Sequence, residues 1–445
     1  MVSADNVNLD VLELIFSYLA GNDLPSVALV SRSFFAGVIP RLYCTLLFRL
    51  SHAKRYPAVI SPFSAVAAHP EFAIHVRHVD IRTVPIVKAQ YNPKFLLECT
   101  RALELCHNIT SFRCSSINAL PPFLPTLQQK DRLRSLRVYA SLTTEQSLKL
   151  VSLAKIRHLT LDFPSWNLMN LLPRWTGLLQ NNLTTLTLFM ANELNEMVLE
   201  SALVEVPHLL GLHVVGCPKV DHLVLLSLLS HTPDLESLSM TTGDCTYPLP
   251  QPPAPLTSLR ALSLDTRITP HLPPSTAVLS AILTHVTAAG ARLRAFVLKF
   301  PDRQLGLGPG APFVAQLLAA HARSLTVLAF LDCTLGTTDA LPALCGKCTA
   351  LERLEIAIPV RDLTIFTRAL AHSKTLRTLI DVAPHAHSVR PTLAQEGVSA
   401  LLAQLPSLRT VVSGGRVWSR RPTGGVTLER RPTHVTASHW FMPRD

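Results

Sequence analysis

A six-residue pattern of apolar side chains recurs along most of this 445-residue chain and restricts what it can fold into. Each copy has apolar residues at its first, fourth and sixth positions. Copies begin at Val76, Ile109, Leu133, Ile156, Leu183, Leu209, Leu235, Leu259, Leu293, Leu325 and Leu351, and weaker copies begin at Leu376 and Leu408. From Leu133 to Leu259, subtracting the starting numbers gives steps of 23, 27, 26, 26 and 24 residues. A spacing this regular indicates one structural unit repeated along the chain.

These hexads predict the fold because side chains of a strand alternate between its two faces. The last two apolar residues of a hexad therefore share one face, which a single unit cannot bury but stacked units can. Between hexads, segments such as 143–154, 220–231 and 313–323 have the apolar spacing of a helix. The steps fall in the range of leucine-rich repeats. We therefore predict an α/β leucine-rich-repeat solenoid, with parallel strands on its concave face and helices on its convex face.

Insertions lengthen some of the steps, and two of them are rich in proline. Residues 248–255 and 301–312 each contain several prolines, so both should be surface loops.

Cys217 and Cys333 each lie three residues after the last hexad position. That placement resembles the cysteine-containing subtype of the repeat, and we expect both side chains to turn inward and play a structural role.

The pattern divides the chain into three parts. We predict a helical module at residues 1–50, a solenoid with Pro-rich loop insertions at residues 51–413, and a different C-terminal segment at residues 414–445. From Gly414 the hexad is lost, and Gly424 with Gly425 indicates a turn between two short segments. The segment is either a terminal cap that shields the last core edge, such as a hairpin, or a basic tail.

The first part of the chain predicts two helices. From Asp10 to Leu19 apolar side chains occupy nearly every helical face, so this helix should be buried on all sides. Gly21 should end it, and Asn22 or Asp23 can cap a second helix whose apolar stripe runs to Phe34. About fifty residues cannot enclose that much apolar surface alone, so part of it should face a partner or the solenoid.

This segment resembles an F-box, whose family pattern reads roughly LPxELLxxIFxYL, then DL, then LVCRxF. The matching residues are Asp10 at the acidic position, Ile15, Phe16, Tyr18 and Leu19 in the IFxYL run, Asp23 and Leu24 at DL, and Leu29, Val30, Arg32 and Phe34 in the last block. The sequence departs from the family pattern at three positions: it has Val7 where the pattern has Leu, Asn8 where it has Pro, and Ser31 where it has Cys. Repeats directly downstream are what the leucine-rich-repeat branch of the family has.

The resemblance implies a non-catalytic substrate receptor of an SCF-type cullin-RING ubiquitin ligase. The helical module would bind a Skp-type adaptor, and the repeats would bind a protein substrate. The residues expected at the adaptor contact are Val7, Leu12, Ile15, Phe16, Leu19, Leu24, Val27, Val30 and Phe34. Some of them could instead pack the module onto the first repeat, because an interface uses one stripe and this helix is apolar on more.

Substrate contacts are expected at strand positions that point away from the core, by the alternation described above. These candidate positions on the concave face are Arg137, Tyr139, His158, Asp162, Phe189, His213, Asp265, Lys299, Arg353 and Glu355. Each could equally be an ordinary solvated strand residue. Aromatic and Arg side chains are the ones most often found at binding hot spots.

A leucine-rich-repeat scaffold or inhibitor without a ubiquitin role is the alternative, because it needs only the array. An enzyme is not expected: the sequence has no GxSxG, HExxH or P-loop motif. The 18 His residues lack ligand spacing, and Cys345 with Cys348 is an isolated CxxC, so we expect no cofactor and no metal site.

The most apolar early segment, 7–20, is short and contains Asp10 and Glu13, so neither a membrane span nor a secretory signal is expected. A cytoplasmic or nuclear location follows as the expectation. The net charge of +11 comes from dispersed basic residues, so nucleic acid is not an expected partner. The nine cysteines should be free thiols.

Overall fold

The computed structural model describes residues 8–19, 23–243, 248–266, 276–300, 308–333, 335–336, 338–382, 393–414, 416–421, 425–430 and 439–443. The chain divides into two compact units. Unit 1 comprises residues 1–207 with 217–219, and unit 2 comprises residues 208–216 with 220–445.

Unit 1 consists of short strands joined by helices. Its strands are β1 (Thr45–Phe48), β2 (His78–Ile81), β3 (Ile86–Val87), β4 (Gln90–Tyr91), β5 (Ser111–Cys114), β6 (Ser135–Tyr139), β7 (His158–Asp162) and β8 (Thr185–Phe189). Its helices are α1 (Leu9–Phe16), α2 (Asp23–Ala28), α3 (Arg32–Leu42), α4 (Leu50–Ala53), α5 (Pro62–Ala68), α6 (Pro93–Leu105), α7 (Leu124–Gln128), α8 (Thr144–Val151), α9 (Trp166–Leu179) and α10 (Glu196–Val204). The order β1-β2-β5-β6-β7-β8 is parallel throughout, and β3 and β4 form a separate small hairpin.

Unit 2 continues the same alternation. Its strands are β9 (Gly211–Val215), β10 (Ser237–Thr242), β11 (Ala261–Thr266), β12 (Ala295–Lys299), β13 (Val327–Leu331), β14 (Arg353–Ile356), β15 (Thr378–Asp381), β16 (Thr410–Ser413), β17 (Arg416–Arg420) and β18 (Val426–Arg430). Its helices are α11 (His222–Leu228), α12 (Thr276–Ala288), α13 (Gly310–His321), α14 (Ala340–Lys347), α15 (Leu363–Leu370) and α16 (Gln395–Gln404). Strands β9 to β16 pair in parallel in chain order, and β17 and β18 are antiparallel.

Every predicted hexad forms a strand, and the predicted α/β leucine-rich-repeat solenoid is confirmed. The apolar hexad side chains are buried and stand in register: Leu136 pairs with Leu159, and Leu159 pairs with Leu186. Successive helices pack side by side as well, α8 against α9 and α9 against α10. Each repeat therefore completes the core of its neighbours, which is the behaviour that the sequence spacing requires.

The helices predicted between hexads form, with one correction at the second Pro-rich insertion. Residues 248–255 lack helix and strand, as predicted, and residues 301–307 lie outside the described residues. Residues 310–312 were predicted to be loop but are the first turn of α13. Pro312 is tolerated there because the first turn of a helix has no internal partner for its backbone N–H groups.

The N-terminal module consists of three helices, not the two predicted from the sequence. Ser31 adopts extended backbone and its hydroxyl accepts from the Phe34 backbone N–H at 3.2 Å, so the predicted second helix ends and α3 begins there. Helices α1 and α3 approach closely at Gly37, where an added Cβ would lie 3.1 Å from Leu12 Cβ. The prediction that Gly21 ends the first helix falls outside the described residues.

Both ends of the repeat array differ from the simple hexad pattern. Strand β1 pairs with β2, so residues 45–48 belong to the sheet although the sequence placed them in the helical module. At the other end, β17 and β18 form an antiparallel hairpin beside β16. Trp418 of this hairpin is buried, and Arg420 donates through Nη2 to the Leu402 and Leu405 carbonyls near the end of α16.

The cysteines expected to be structural are placed accordingly. Cys217 is buried and its thiol donates to the Leu188 carbonyl at 3.6 Å, and Cys333 is buried as well. Burial raises the pKa of Cys333 to about 12, so the thiol stays protonated.

In the described part of the chain, no helix has the length and apolar character that a membrane crossing demands.

Replacing Trp418 by Ala should lower the free energy of unfolding of unit 2 by about 3–5 kcal/mol, because the ring is buried at the end of the core and its removal leaves a cavity. Urea denaturation followed by circular dichroism measures this. Leu428→Ala is the matched control, since Leu428 lies opposite Trp418 in the hairpin but is 52% exposed. Equal effects of the two substitutions would contradict the capping role of Trp418.

Candidate protein-binding surfaces

An exposed apolar surface lies on the N-terminal module. Val11, Leu14, Ile15 and Tyr18 have the spacing of one helical face, and each is exposed to solvent. Leu29 and Val30, between α2 and α3, are exposed to 88% and 63%. We call these six residues the apolar module surface. Helix α1 is therefore not buried on all sides, as the sequence had suggested, but on one stripe only.

That buried stripe holds the module together. Leu12 and Phe16 form a core with Val38 of α3, and the rings of Phe16 and Phe34 lie 5.3 Å apart. The Arg41 guanidinium of α3 also donates through Nε to the Leu19 carbonyl at 3.1 Å. The two apolar stripes of α1 thus face different surroundings, one the interior of the module and the other solvent.

The predicted adaptor-binding residues are distributed over both stripes. Leu12 and Phe16 lie in the core, Leu19, Leu24, Val27 and Phe34 are partly buried against it, Ile15 and Val30 are exposed, and Val7 lies outside the described residues. Leu14, Tyr18 and Leu29 are exposed neighbours that the prediction left out. Helical spacing showed both stripes, but only the close approach at Gly37 decides which one is buried.

A charged row crosses the outward face of the strands in unit 1. Asp80, Arg113 and Arg137 are register partners on three successive strands, and we call them the charged row. Thr160 is the next register partner, on β7. Arg82 Nε lies 2.9 Å from Asp80 Oδ2, and Arg113 Nε lies 3.6 Å from Asp80 Oδ1. Sequence reasoning missed Asp80 and Arg113, although strand alternation applied to β2 and β5 would have found them.

Ion pairing explains how acidic residues are buried on this face. Asp162 is buried, and its Oδ2 lies 2.9 Å from Arg137 Nε, which compensates the loss of hydration. Burial, together with the nearby positive charge of Arg137, lowers the pKa of Arg113 to about 10. The guanidinium still carries its charge at neutral pH. Three Arg side chains therefore face two carboxylates, which leaves one positive charge uncompensated within this group.

Aromatic side chains lie at the ends of the same strands. Tyr139 stacks on Phe163 at 5.4 Å between ring centroids, and Phe163 meets Phe189 edge-on at 5.9 Å. Phe163 has a φ of +51°, and its backbone N–H donates to the Phe189 carbonyl at 2.9 Å. This part of the face offers both charge and stacking surface, the combination from which protein hot spots are usually built.

The corresponding row in unit 2 has a different chemistry. His213, Ser239, Ser263, Val297 and Ala329 are register partners from β9 to β13, and we call them the small-residue row. His213 was expected to point to solvent, but it is 1% exposed because Phe441 lies beside it, with 6.1 Å between ring centroids. Burial, with a smaller contribution from His439, lowers the pKa of His213 to about 3.

The remaining predicted strand-face residues occupy the outward positions with varied exposure. His158 is exposed, Arg137, Tyr139, Phe189, Asp265, Lys299 and Arg353 are half-buried, and Asp162 and Glu355 are buried. Glu355 Oε1 accepts from Arg353 Nε at 2.8 Å. Strand alternation therefore gives the direction of these side chains, whereas their exposure depends on partners from neighbouring strands and from the C-terminal segment.

Metal-binding chemistry has little support in the described ranges. They contain no group of three or more His, Cys, Asp or Glu side chains that could hold a metal ion. Cys345 and Cys348 are both buried, and burial raises their thiol pKa values to about 12 and about 11. Neither is therefore a thiolate at neutral pH.

The fold and its surfaces define an α/β repeat protein with an N-terminal helical module. No protein-family model matches the sequence, and no curated protein matches it. Among solved structures, it is similar to a chain in the crystal structure of a TLR13–ssRNA13 complex, with 16% identity and a TM-score of 0.37, over 76% of this chain but only 42% of that chain. It is also similar to a chain in the crystal structure of the Rad7 and Elc1 complex in yeast, with 17% identity and a TM-score of 0.41, over 72% of this chain and 75% of that chain.

Stability should fall on acidification, and His213 should contribute to that loss. The pKa of its folded form is lowered, so below pH 6.5 the unfolded chain binds a proton that the folded chain cannot accept until about pH 3. We expect the thermal midpoint to fall between pH 7.5 and pH 5, and to fall less in His213→Asn, whose amide N–H can donate to Ser239 without titrating. Identical profiles for His213→Asn and the unaltered chain would contradict this assignment.

Proposed function

We propose that this protein is a non-catalytic substrate-recognition subunit of an SCF-type cullin-RING ubiquitin ligase. Its N-terminal module binds a Skp-type adaptor, and its repeats bind a protein substrate. It performs no chemistry itself and contributes by holding the substrate near the ubiquitin-charged enzyme. The proposed location is the cytoplasm, the nucleus or both.

The apolar module surface is the observation that carries this proposal. A small helical module loses stability and solubility when large apolar side chains face water, unless a partner covers them. Tyr18 and Leu29 are more than four-fifths exposed, and Leu14, Ile15 and Val30 are at least half exposed. These residues lie within the segment that resembles an F-box, whose known partner is an adaptor protein.

Local structure supports the same interpretation at a position where the chain differs from the F-box pattern. Asn8 replaces the usual Pro, and its side chain accepts from the Asp10 backbone N–H at 3.4 Å as the N-cap of α1. Helix α1 therefore begins at the expected place without the proline. Its exposed face can then present Val11, Leu14 and Ile15 together, with Tyr18 in the turn that follows the helix.

The repeats supply the other half of the proposal. The outward strand positions of unit 1 present the charged row next to the aromatic group of Tyr139, Phe163 and Phe189. Such a surface can bind a protein through ion pairs and stacking together. A leucine-rich-repeat scaffold without a ubiquitin role would use this same surface, so the repeats do not distinguish the two functions.

The N-terminal module distinguishes them. A scaffold would keep all of its partners when the apolar module surface is made polar, whereas a ligase subunit would lose the adaptor. Deleting the first 48 residues is a poor test, because residues 45–48 form β1 and Phe48 packs on Phe95 at 4.3 Å between ring centroids. Substitutions at exposed positions leave this packing intact.

Replacing Ile15 and Val30 together by Asp should weaken association with a purified Skp-type adaptor at least about tenfold, because two exposed apolar contacts become charges that must be desolvated. Isothermal titration calorimetry or co-purification measures the loss. Leu97→Asp is the matched control, since Leu97 is an exposed apolar residue on α6. Thermal midpoints should match for all three proteins. Failure of the unaltered chain to bind any such adaptor would remove the ligase proposal.

A further inference from the structure

Residues 439–443 lie against the outward face of strands in unit 2, far along the chain from the residues they contact. The Phe441 side chain is 0% exposed. The Phe441 carbonyl accepts from Ser239 Oγ at 3.0 Å and from Ser263 Oγ at 2.9 Å. Two hydroxyl groups from neighbouring strands thus bind one backbone carbonyl of this segment.

The hydrogen bond from Ser239 to Phe441 fixes the tautomer of His213. Its Nδ1 lies 2.7 Å from Ser239 Oγ. The Ser239 hydroxyl has one hydrogen, which it donates to Phe441, so it must accept from a protonated Nδ1 of His213. Burial lowers the pKa of His213, so the ring is neutral at pH 7 and carries one N–H proton, which the contact with Ser239 places on Nδ1. The three groups form an ordered chain of hydrogen bonds.

Two aromatic side chains complete the contact. His439 stacks on Phe441 with 4.8 Å between ring centroids. Trp440 packs against the apolar group of Val297, Ala329 and Leu331, and Lys299 Nζ lies 5.6 Å from the centroid of its ring. The segment therefore combines the buried ring of Phe441, the partly buried rings of His439 and Trp440, a cation–π contact and hydrogen bonds to its backbone. A bound peptide ligand makes contacts of the same kinds.

The small-residue row suits such a ligand because it offers space. Ser239 and Ser263 have small side chains at consecutive register positions, Val297 follows, and Ala329 comes next. His213 lies at the other end of the row, beside Ser239. In unit 1 the equivalent outward positions carry the larger Arg113 and Arg137. On β7 and β8 they carry the hydroxyls of Thr160 and Thr187. The Ser239 and Ser263 hydroxyls are the pair that binds the Phe441 carbonyl.

We propose that the small-residue row, with Lys299 and Leu331, is a recognition site for a short peptide segment with adjacent Trp and Phe side chains. Residues 439–443 occupy it as an intramolecular ligand. A protein partner that presents such a segment binds by displacing them. This inference rests on the proposed protein-binding role of the repeats, but it does not depend on adaptor binding.

Because residues 439–443 already occupy the small-residue row, a partner must bind tightly enough to displace them. A tethered ligand acts at an effective concentration of about a millimolar or more, so a free peptide competes poorly with it. A partner with further contacts on the same face can overcome that advantage. The C-terminal segment thereby selects against weak binders.

The test uses a fluorescent peptide with the sequence of residues 439–443 and two full-length proteins, the unaltered chain and Trp440→Ala/Phe441→Ala. Fluorescence anisotropy should show binding to the double variant and at least about tenfold weaker binding to the unaltered chain, because only the variant has an open site. Adding Ser239→Ala and Ser263→Ala to the double variant should weaken the peptide about tenfold or more, through loss of two hydrogen bonds. A peptide with Ala at the Phe441 position should not bind.

A second form of the protein keeps the test valid if the double variant does not fold. A specific protease site placed within residues 432–437 allows cleavage after folding, so the segment can dissociate and exchange with the labelled peptide. Equal peptide binding by cleaved and uncleaved protein, or no binding by the cleaved protein, would overturn the proposal. Adaptor association of the same proteins, measured in parallel, shows whether the ligase proposal stands when this one fails.

Discussion

The structure depends on stacking apolar hexads in register. A strand such as β7 exposes Leu159 and Leu161 to water unless β6 and β8 bring Leu136 and Leu186 alongside. Because no repeat is stable alone, the first and last repeats need other elements to cover them. Strand β1 and the Phe48, Phe63 and Phe95 rings close one end, and the hairpin with Trp418 closes the other.

Because the inward side chains of each strand form the core, those positions require apolar residues such as leucine. The outward positions do not contribute to the core, so they can hold polar, charged or small residues. Unit 1 uses them for Arg and Asp, which tolerate burial because they pair across strands, as Arg137 and Asp162 do. In unit 2, Ser239, Ser263 and Ala329 occupy outward positions of β10, β11 and β13, and residues 439–443 pack there. The same backbone geometry thus carries two kinds of outward chemistry, because the core does not constrain the side chains at these positions.

The sequence predicts the repeat well because its signal is local and recurs. The positions of the strands, the inward leucines and the helices between them follow from spacing alone. The break at Ser31 was missed because the apolar stripe continues through it, whereas the helix start is set by a local hydrogen bond from the Phe34 backbone N–H to the Ser31 hydroxyl. The buried stripe of α1 was not predictable, since it depends on how closely Gly37 lets two helices approach.

The location of Phe441 shows where sequence reasoning reaches its limit. Ser263 and Phe441 are 178 residues apart, and no periodicity joins them. Their contact arises because a fold built for stacking leaves a row of hydroxyls and small side chains whose polar groups need partners. The apolar module surface differs from this row, because its side chains face solvent and no described residue of the chain covers them. Residues 439–443 thus cover the small-residue row, while the apolar module surface faces solvent. On the two proposals, an adaptor would therefore bind a free surface, whereas a peptide partner would have to displace residues 439–443.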